Sequence, residues 1–137
     1  MPAIDECQPQ MIRALAKEGW LVTHQPFAIR ISKTEGVYAD LRLQHHQYQQ
    51  TIIVVEVKCF PETRSLLDEF YHAVGQYLFY RQVLAQKNIN IPLFLAIPTH
   101  AYEKLSNRPI MASVINEIHV KIVVVDLDDE EIVLWIP

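Results

Sequence analysis

A strongly apolar and mostly β-branched run lies in the middle of the chain, from Ile52 to Val57, and only Glu56 interrupts it. Strands that are covered on both faces have near-continuous apolar runs, so this segment predicts a buried strand. Because side chains alternate between the two faces of a strand, Glu56 and Lys58 are expected to point the same way, about 7 Å apart. The strand therefore ends where an apolar surface gives way to two charged side chains.

Hydrophobic periodicity predicts the remaining elements of the chain. Asp5 is a candidate cap for the first helix, and Gly19 is expected to end it. The run Val37 to Leu43 alternates and is expected to pair with the buried strand. The predicted elements are a helix over 4–18, one bent edge strand over 20–32, strands over 37–43 and 52–58, a long helix over 65–86, a strand over 93–97, short helices over 99–105 and 109–117, and strands over 119–125 and 132–136. This order, α-β-β-β-α-β-α-β-β, predicts an α/β fold with a mixed sheet flanked by helices.

The long helix has two neighbouring apolar stripes, so most of its surface is expected to be covered. Gly75 is unfavourable in a helix interior by about 1 kcal/mol relative to alanine, which is tolerable if the backbone there must approach the sheet closely. A polar line runs between the stripes at spacings of three or four residues. One stripe is Leu66, Phe70, Ala73, Tyr77, Tyr80 and Leu84, the other is Leu67, Tyr71, Val74 and Leu78, and the polar line is Glu69, His72, Gln76 and Tyr80.

The length of 137 residues predicts a single domain over 1–137, and the 50% apolar composition is typical of a globular protein. No apolar run approaches the roughly 20 residues that a membrane-spanning helix needs, and the first residues carry acid where a signal peptide carries base. We therefore expect a cytoplasmic protein without membrane contact. A net charge of −4 argues against a chain that holds duplex DNA unaided by neutralising many phosphates.

The cysteines and the paired histidines give weaker indications. Cys7 and Cys59 lie far apart and lack a C-x-x-C spacing, which favours two reduced, buried thiols over a zinc site. His45 and His46 are adjacent, and in a strand they would point to opposite faces, which argues against a joint metal site.

Asp40, Glu56 and Lys58 are the candidate site. If the two neighbouring strands pair, Asp40 lies near Glu56, and their carboxylates, with the backbone carbonyl of Val57, predict a site for Mg²⁺ or Mn²⁺. Such a metal would polarise a phosphodiester, and Lys58 would position water or stabilise charge in the transition state. The alternative is that Glu56 and Lys58 simply form an ion pair at a solvated strand end.

Three parts of the sequence in order resemble the D…E-x-K…Q-x-x-x-Y pattern of the PD-(D/E)XK nuclease superfamily: Asp40, then Glu56-Val57-Lys58, then Gln76 to Tyr80 on the following helix. The resemblance implies a restriction-endonuclease-like fold, with Asp40 and Glu56 as metal ligands, Lys58 as the catalytic lysine and Gln76 as the helix glutamine. Nucleases of this fold often add an acid from the first helix, for which Asp5 and Glu6 are candidates. The proline that commonly precedes the aspartate is absent, because Ala39 stands there.

A closer resemblance extends over almost the whole chain. Seven short segments carry it: Met1-Pro-Ala3, Glu18-Gly-Trp20, Asp40, Val55-Glu-Val-Lys58, Gly75-Gln-Tyr-Leu-Phe-Tyr-Arg81, Leu95-Ala-Ile-Pro98 and Trp135-Ile-Pro137. In these segments the chain is similar to the XisH family of cyanobacterial fdxN-element excision controlling factors. This resemblance implies a role in programmed excision of a DNA element, with the companion protein XisI and a site-specific recombinase as partners.

Two functions follow as hypotheses. The chain is either a metal-dependent DNA phosphodiesterase, or an accessory subunit that keeps a nuclease fold and docks XisI or the recombinase without cutting. The acidic charge balance favours the second hypothesis, while a complete charged triad, which is costly to bury for structure alone, favours the first. A homo-oligomer is a further expectation.

Overall fold

A computed structural model of the chain describes residues 6–48 and 50–137. The apolar segments form strands, and the segments of helical period form helices around them. The helices are α1 (Gln8–Lys17), α2 (Leu66–Gln86), α3 (Thr99–Ser106) and α4 (Pro109–Glu117). The strands are β1 (Trp20–His24), β2 (Phe27–Arg30), β3 (Gly36–Ala39), β4 (Leu41–His45), β5 (Ile52–Val57), β6 (Leu93–Pro98), β7 (Ile122–Asp126) and β8 (Glu131–Ile136).

Six of these strands form one mixed sheet in the order β1-β4-β5-β6-β7-β8, and β2 pairs with β3 in a separate two-stranded sheet. Strands β5, β6 and β7 run parallel to one another, with α2 in the first connection and α3 and α4 in the second. The other pairings in the main sheet are antiparallel. The expected mixed α/β sheet flanked by helices is therefore confirmed.

The two faces of the main sheet carry separate apolar cores. Alternate residues of β5 belong to different cores, since Val54 packs with the apolar face of α2 while Val55 packs with α1. Helices α3 and α4 cover the same face as α2, through residues such as Leu105 and Met111. Because side chains alternate along β5, Glu56 lies on the α2 side of the sheet, like Val54.

Ser65 caps α2, with its hydroxyl accepting a hydrogen bond from the backbone N–H of Asp68. Farther along this helix, the fully buried Tyr77 hydroxyl donates to the carbonyl oxygen of Leu93 and accepts from the N–H of Lys121, both at 3.0 Å. This tyrosine therefore hydrogen-bonds α2 to β6 and to the residue that precedes β7.

Two predicted strands are each divided in the structure, so five strands precede α2 where three are expected. The segment 20–32 forms β1 at the edge of the main sheet and β2 in the small sheet, because Pro26 has no N–H to continue the ladder. The segment 37–43 is divided at Asp40 between β3 and β4, where the chain passes from the small sheet to the main one. The predicted pairing of this segment with the buried strand is confirmed for β4 and β5.

The expectation that the second stripe of α2 is covered is wrong for its first two members, and the condition that would make Gly75 useful is not met. Leu67 and Tyr71 are exposed, Tyr71 with 63% of its surface accessible. A methyl group at Gly75 would have nothing within 4 Å, so the helix does not approach the sheet closely there. Glycine at this position is therefore not required by packing within the chain.

The expectation of reduced cysteines is also wrong, because Cys7 and Cys59 form a disulfide with a Cα–Cα distance of 5.8 Å. The bridge joins the residue before α1 to the residue after Lys58. His45 and His46 do not point to opposite faces, since their rings are stacked with centroids 5.3 Å apart, near the end of β4 where the strand pattern stops. Among the described residues, no helix is both long and apolar enough to cross a bilayer.

Candidate functional site

Asp40 and Glu56 meet where the small sheet joins the main one. The register that pairs Leu41 with Val55 places Asp40 opposite Glu56 one step farther along. The backbone N–H of Asp40 donates to Oε1 of Glu56 at 3.0 Å, and the N–H of Val57 donates to Oδ2 of Asp40 at 2.7 Å. Each carboxyl group is thus held by the backbone of the other strand.

Glu56 is the most enclosed charged residue of this group, with only 3% of its surface accessible. Burial, followed by the hydrogen bond and the charge of Asp40, raises the pKa of Glu56 to about 9, while the charge of Lys58 acts in the opposite direction. Two carboxylates this close disfavour each other's ionised form. In the absence of a cation, the pair therefore holds a proton at neutral pH.

Lys58 leaves the end of β5 and is also buried, with 9% of its surface accessible. Its Nζ lies 2.9 Å from Nδ1 of His72 on α2. The ion pairs of the described residues do not include Glu56 with Lys58. A surface ion pair at a solvated strand end, which the sequence leaves open, is therefore not what the structure contains.

Gln76 and Tyr80 lie on α2 one and two turns beyond His72. Nε2 of Gln76 donates to the Tyr80 hydroxyl at 3.4 Å, while Oε1 of Gln76 is buried without a hydrogen-bond partner. Burial, and then the charges of Glu56 and Asp40, raise the pKa of Tyr80 to about 12. The Tyr80 hydroxyl therefore stays protonated beside the carboxyl pair.

These residues line one cleft of about 750 Å³ between the end of β5 and α2. The cleft contains every described residue among the sequence candidates, including Glu6, and Asp5 lies outside the described residues. The lining is Glu6, Tyr38, Asp40, Glu56, Val57, Lys58, Cys59, Pro61, Thr63, Arg64, Glu69, His72, Gln76 and Tyr80.

Sequence reasoning missed the roles of three lining residues. His72 contacts Lys58, and Arg64 forms an ion pair with Glu69 at 3.1 Å across the first turn of α2. Glu69 and His72 lie on the polar line that also carries Gln76, and this spacing is the signal that could have identified them, whereas Arg64 precedes the helix and has no such signal.

The cleft offers oxygen donors of the kind that a hard divalent cation requires. Within residues 6–48 and 50–137, no three His, Cys, Asp or Glu side chains are arranged to share one metal. Mg²⁺, however, keeps several waters and is commonly held by one or two carboxylates. The N–H of Val57 donates to Asp40, and the backbone carbonyl of Val57 is the third oxygen that the sequence offers for such a set. The carboxyl oxygens of Asp40 and Glu56 are of the chemical type that Mg²⁺ and Mn²⁺ prefer.

The fold and the cleft together define a mixed α/β protein with a carboxyl pair, of which Glu56 is buried, and a lysine at the end of a central strand. The profile of the XisH protein family matches residues 1–133, and the chain belongs to this family. A crystal structure of an fdxN element excision controlling factor protein from Anabaena variabilis is similar, at 30% identity and a TM-score of 0.85, over 97% of this chain and 100% of that one. An XisH family protein from Nostoc punctiforme PCC 73102 shares 30% identity and a TM-score of 0.83, over 96% of this chain and 100% of that one. A search among curated proteins gives no match.

Proposed function

We propose that this XisH family protein is a divalent-metal-dependent phosphodiesterase of the PD-(D/E)XK type that acts on DNA during excision of a DNA element. The observation that carries the proposal is the pair formed by the half-buried Asp40 and the buried Glu56, whose pKa is raised to about 9, beside Lys58. Perturbed carboxyl groups in a cleft are typical of functional sites. A cation between the two carboxylates would let both ionise.

In this proposal Asp40, Glu56 and the carbonyl of Val57 hold Mg²⁺ or Mn²⁺. When bound, the metal supplies a Lewis acid for the phosphoryl oxygen and lowers the pKa of water. Lys58 contributes positive charge where negative charge develops on the phosphate. The buried Oε1 of Gln76 is available to accept a hydrogen bond from a water molecule in the cleft.

Metal uptake is the first test, because the proposed catalysis requires it. Calorimetric titration with Mn²⁺ is expected to show binding to the wild type and at least about tenfold weaker binding to Glu56→Gln. Glu103→Gln is the matched control, since Glu103 is exposed on α3. Because Glu56 must lose its proton to bind the cation, affinity is expected to rise about tenfold per pH unit between pH 6 and 8, with release of about one proton per metal ion. Absence of Mn²⁺ binding by the wild type at pH 8 would remove the metal-dependent proposal.

Cleavage is the second test. With Mg²⁺ or Mn²⁺ and supercoiled, linear and single-stranded DNA, Lys58→Ala is expected to lose activity while Lys104→Ala, which changes an exposed lysine on α3, keeps it. The XisI-like partner is included in a parallel reaction. Wild-type protein that binds Mn²⁺ but never nicks any DNA form, with or without this partner, contradicts the enzymatic proposal.

A second function is favoured by the charges of the cleft. Four of its lining residues are acids, Glu6 and Glu69 in addition to the carboxyl pair, and only Lys58 and Arg64 are basic lysine or arginine residues. Together with the net charge of −4, this balance opposes binding of a polyanion by the chain alone. We therefore propose as the alternative an accessory subunit that docks XisI or the recombinase, with the partner supplying the DNA-binding surface. Salt-sensitive DNA binding by the complex, but not by this chain alone, is the result expected of that role.

A further inference from the structure

His72 and Lys58 make a contact that the proposed chemistry does not by itself require. Nζ of Lys58 lies 2.9 Å from Nδ1 of His72. An ammonium group has three donors and no acceptor, so Nδ1 must accept the hydrogen bond. In this arrangement Nδ1 is the acceptor and Nε2 is the ring nitrogen that carries hydrogen.

One oxygen of each neighbouring glutamate carboxyl group already accepts a hydrogen bond from another donor. Oε1 of Glu69 accepts from Arg64 at 3.1 Å, and Oε1 of Glu56 accepts from the N–H of Asp40. Lys58 is buried while His72 is exposed at the helix surface, so the histidine reaches inward from α2 to the lysine.

We propose that His72 is a positioning residue that sets the orientation of the Lys58 ammonium in the cleft. This inference rests on the proposed function. Lysine has a long flexible side chain and loses rotamer freedom when it is ordered, so a single anchor on a rigid helix can select its direction. A neutral acceptor also suits the role, because a carboxylate at position 72 would offset the positive charge that Lys58 is to offer a phosphate.

The contact can be tested without any activity assay, by ¹⁵N NMR of the histidine rings. The wild type is expected to show His72 with the proton on Nε2 and an unprotonated Nδ1, its signals identified by their loss in His72→Asn. In Lys58→Met the Nδ1 signal is expected to shift, because its donor is gone, whereas Lys104→Met leaves it in place. Identical His72 signals in the wild type and in Lys58→Met would overturn the inference.

The consequence for the reaction is tested by cleavage kinetics. His72→Ala is expected to lower kcat about tenfold or more with little change in the KM for DNA, since a misplaced catalytic group affects the transition state more than binding. His72→Asn, whose Oδ1 can accept near the position of Nδ1, is expected to restore most of the rate. His24→Ala is the control, because His24 is exposed on β1 and does not line the cleft.

The outcomes separate the two proposals. If the wild type cleaves DNA and His72→Ala cleaves it equally well, the positioning role is refuted and the enzymatic function stands. If the wild type never cleaves, the enzymatic function and the positioning role in it are refuted, and the NMR experiment then decides only whether the contact exists.

Discussion

Replacing Glu56 by glutamine is expected to stabilise the protein at neutral pH. Burial and the neighbouring Asp40 raise the pKa of Glu56 to about 9, from the value of 4.5 that applies to an unperturbed side chain. At pH 7 the group is therefore protonated in the folded state and ionised in the unfolded state, so folding takes up a proton. Over roughly 2.5 pH units at about 1.4 kcal/mol per unit, this costs about 3 kcal/mol.

The pH dependence has a definite sign. Because the folded-state pKa is raised, the contribution of Glu56 to stability is fully present below about pH 4.5 and is lost as pH rises through about 9. Glutamine resembles the neutral carboxyl group and keeps the oxygen that accepts from the N–H of Asp40. Glu56→Gln therefore does not lose stability as the pH rises. The difference between its free energy of unfolding and that of the wild type is expected to grow from pH 5 to pH 9.

The assay is urea unfolding at pH 5, 7 and 9 in the presence of a chelator, with Glu103→Gln as the control because that carboxylate is exposed. Glu56→Gln is expected to be about 3 kcal/mol more stable than the wild type at pH 7. A variant that is less stable than the wild type at pH 7, or an advantage that does not change with pH, would refute the reasoning about the carboxyl pair.

Three further predictions concern the fold. Tyr77→Phe removes a buried hydroxyl that joins α2 to two strands and is expected to lower the free energy of unfolding by about 2 kcal/mol, while the exposed Tyr71→Phe changes it little; equal values in urea unfolding would contradict this. Gly75→Ala is expected to raise the free energy of unfolding by about 1 kcal/mol, because the added methyl group has no neighbouring atom within 4 Å and alanine favours the helix. A lower free energy of unfolding in this variant would contradict the prediction. Reducing the disulfide between Cys7 and Cys59, which are 52 residues apart, is expected to lower the free energy of unfolding by about 4 kcal/mol, because the unfolded chain then gains conformational entropy. Detection of two free thiols in the unreduced, denatured protein would show that the disulfide is absent.

Local pattern was sufficient to predict most of the elements. The β-branched run of β5 and the apolar positions that recur every three or four residues along α2 encode strand and helix through their spacing, which does not depend on distant parts of the chain. The pairing of β4 with β5 was also predictable, because a short polar turn connects them and nearby strands commonly pair.

The divided strands could not be predicted in the same way. Val37 to Leu43 alternates without a break, and nothing local indicates that β3 belongs to one sheet and β4 to another. The same limit applies to Leu67 and Tyr71, whose spacing on α2 is that of a buried stripe although no other element covers them enough to bury them. Burial of a residue depends on whether another element packs against it. The periodicity of a segment shows which of its residues share a face, but not whether another element covers that face.

The candidate site was predictable as residue types, and the structure brings its described members into one cleft. The contacts that hold these side chains in place could not be predicted from the sequence. They are the backbone-to-carboxyl hydrogen bonds around Asp40 and Glu56, the contact of Lys58 with His72, and the disulfide beside them. These contacts join residues between 14 and 52 positions apart.

By itself the sequence determined the buried central strand, the long helix after it, and a set of charged residues that resembles a known family. The tertiary structure alone decided that Glu56 is nearly removed from water and that it and the half-buried Asp40 are each held by a backbone N–H of the other segment. The reason is physical. The face on which a side chain lies follows from the periodicity of its own segment, whereas its pKa and its partners follow from the strand register and from the desolvation that packing imposes.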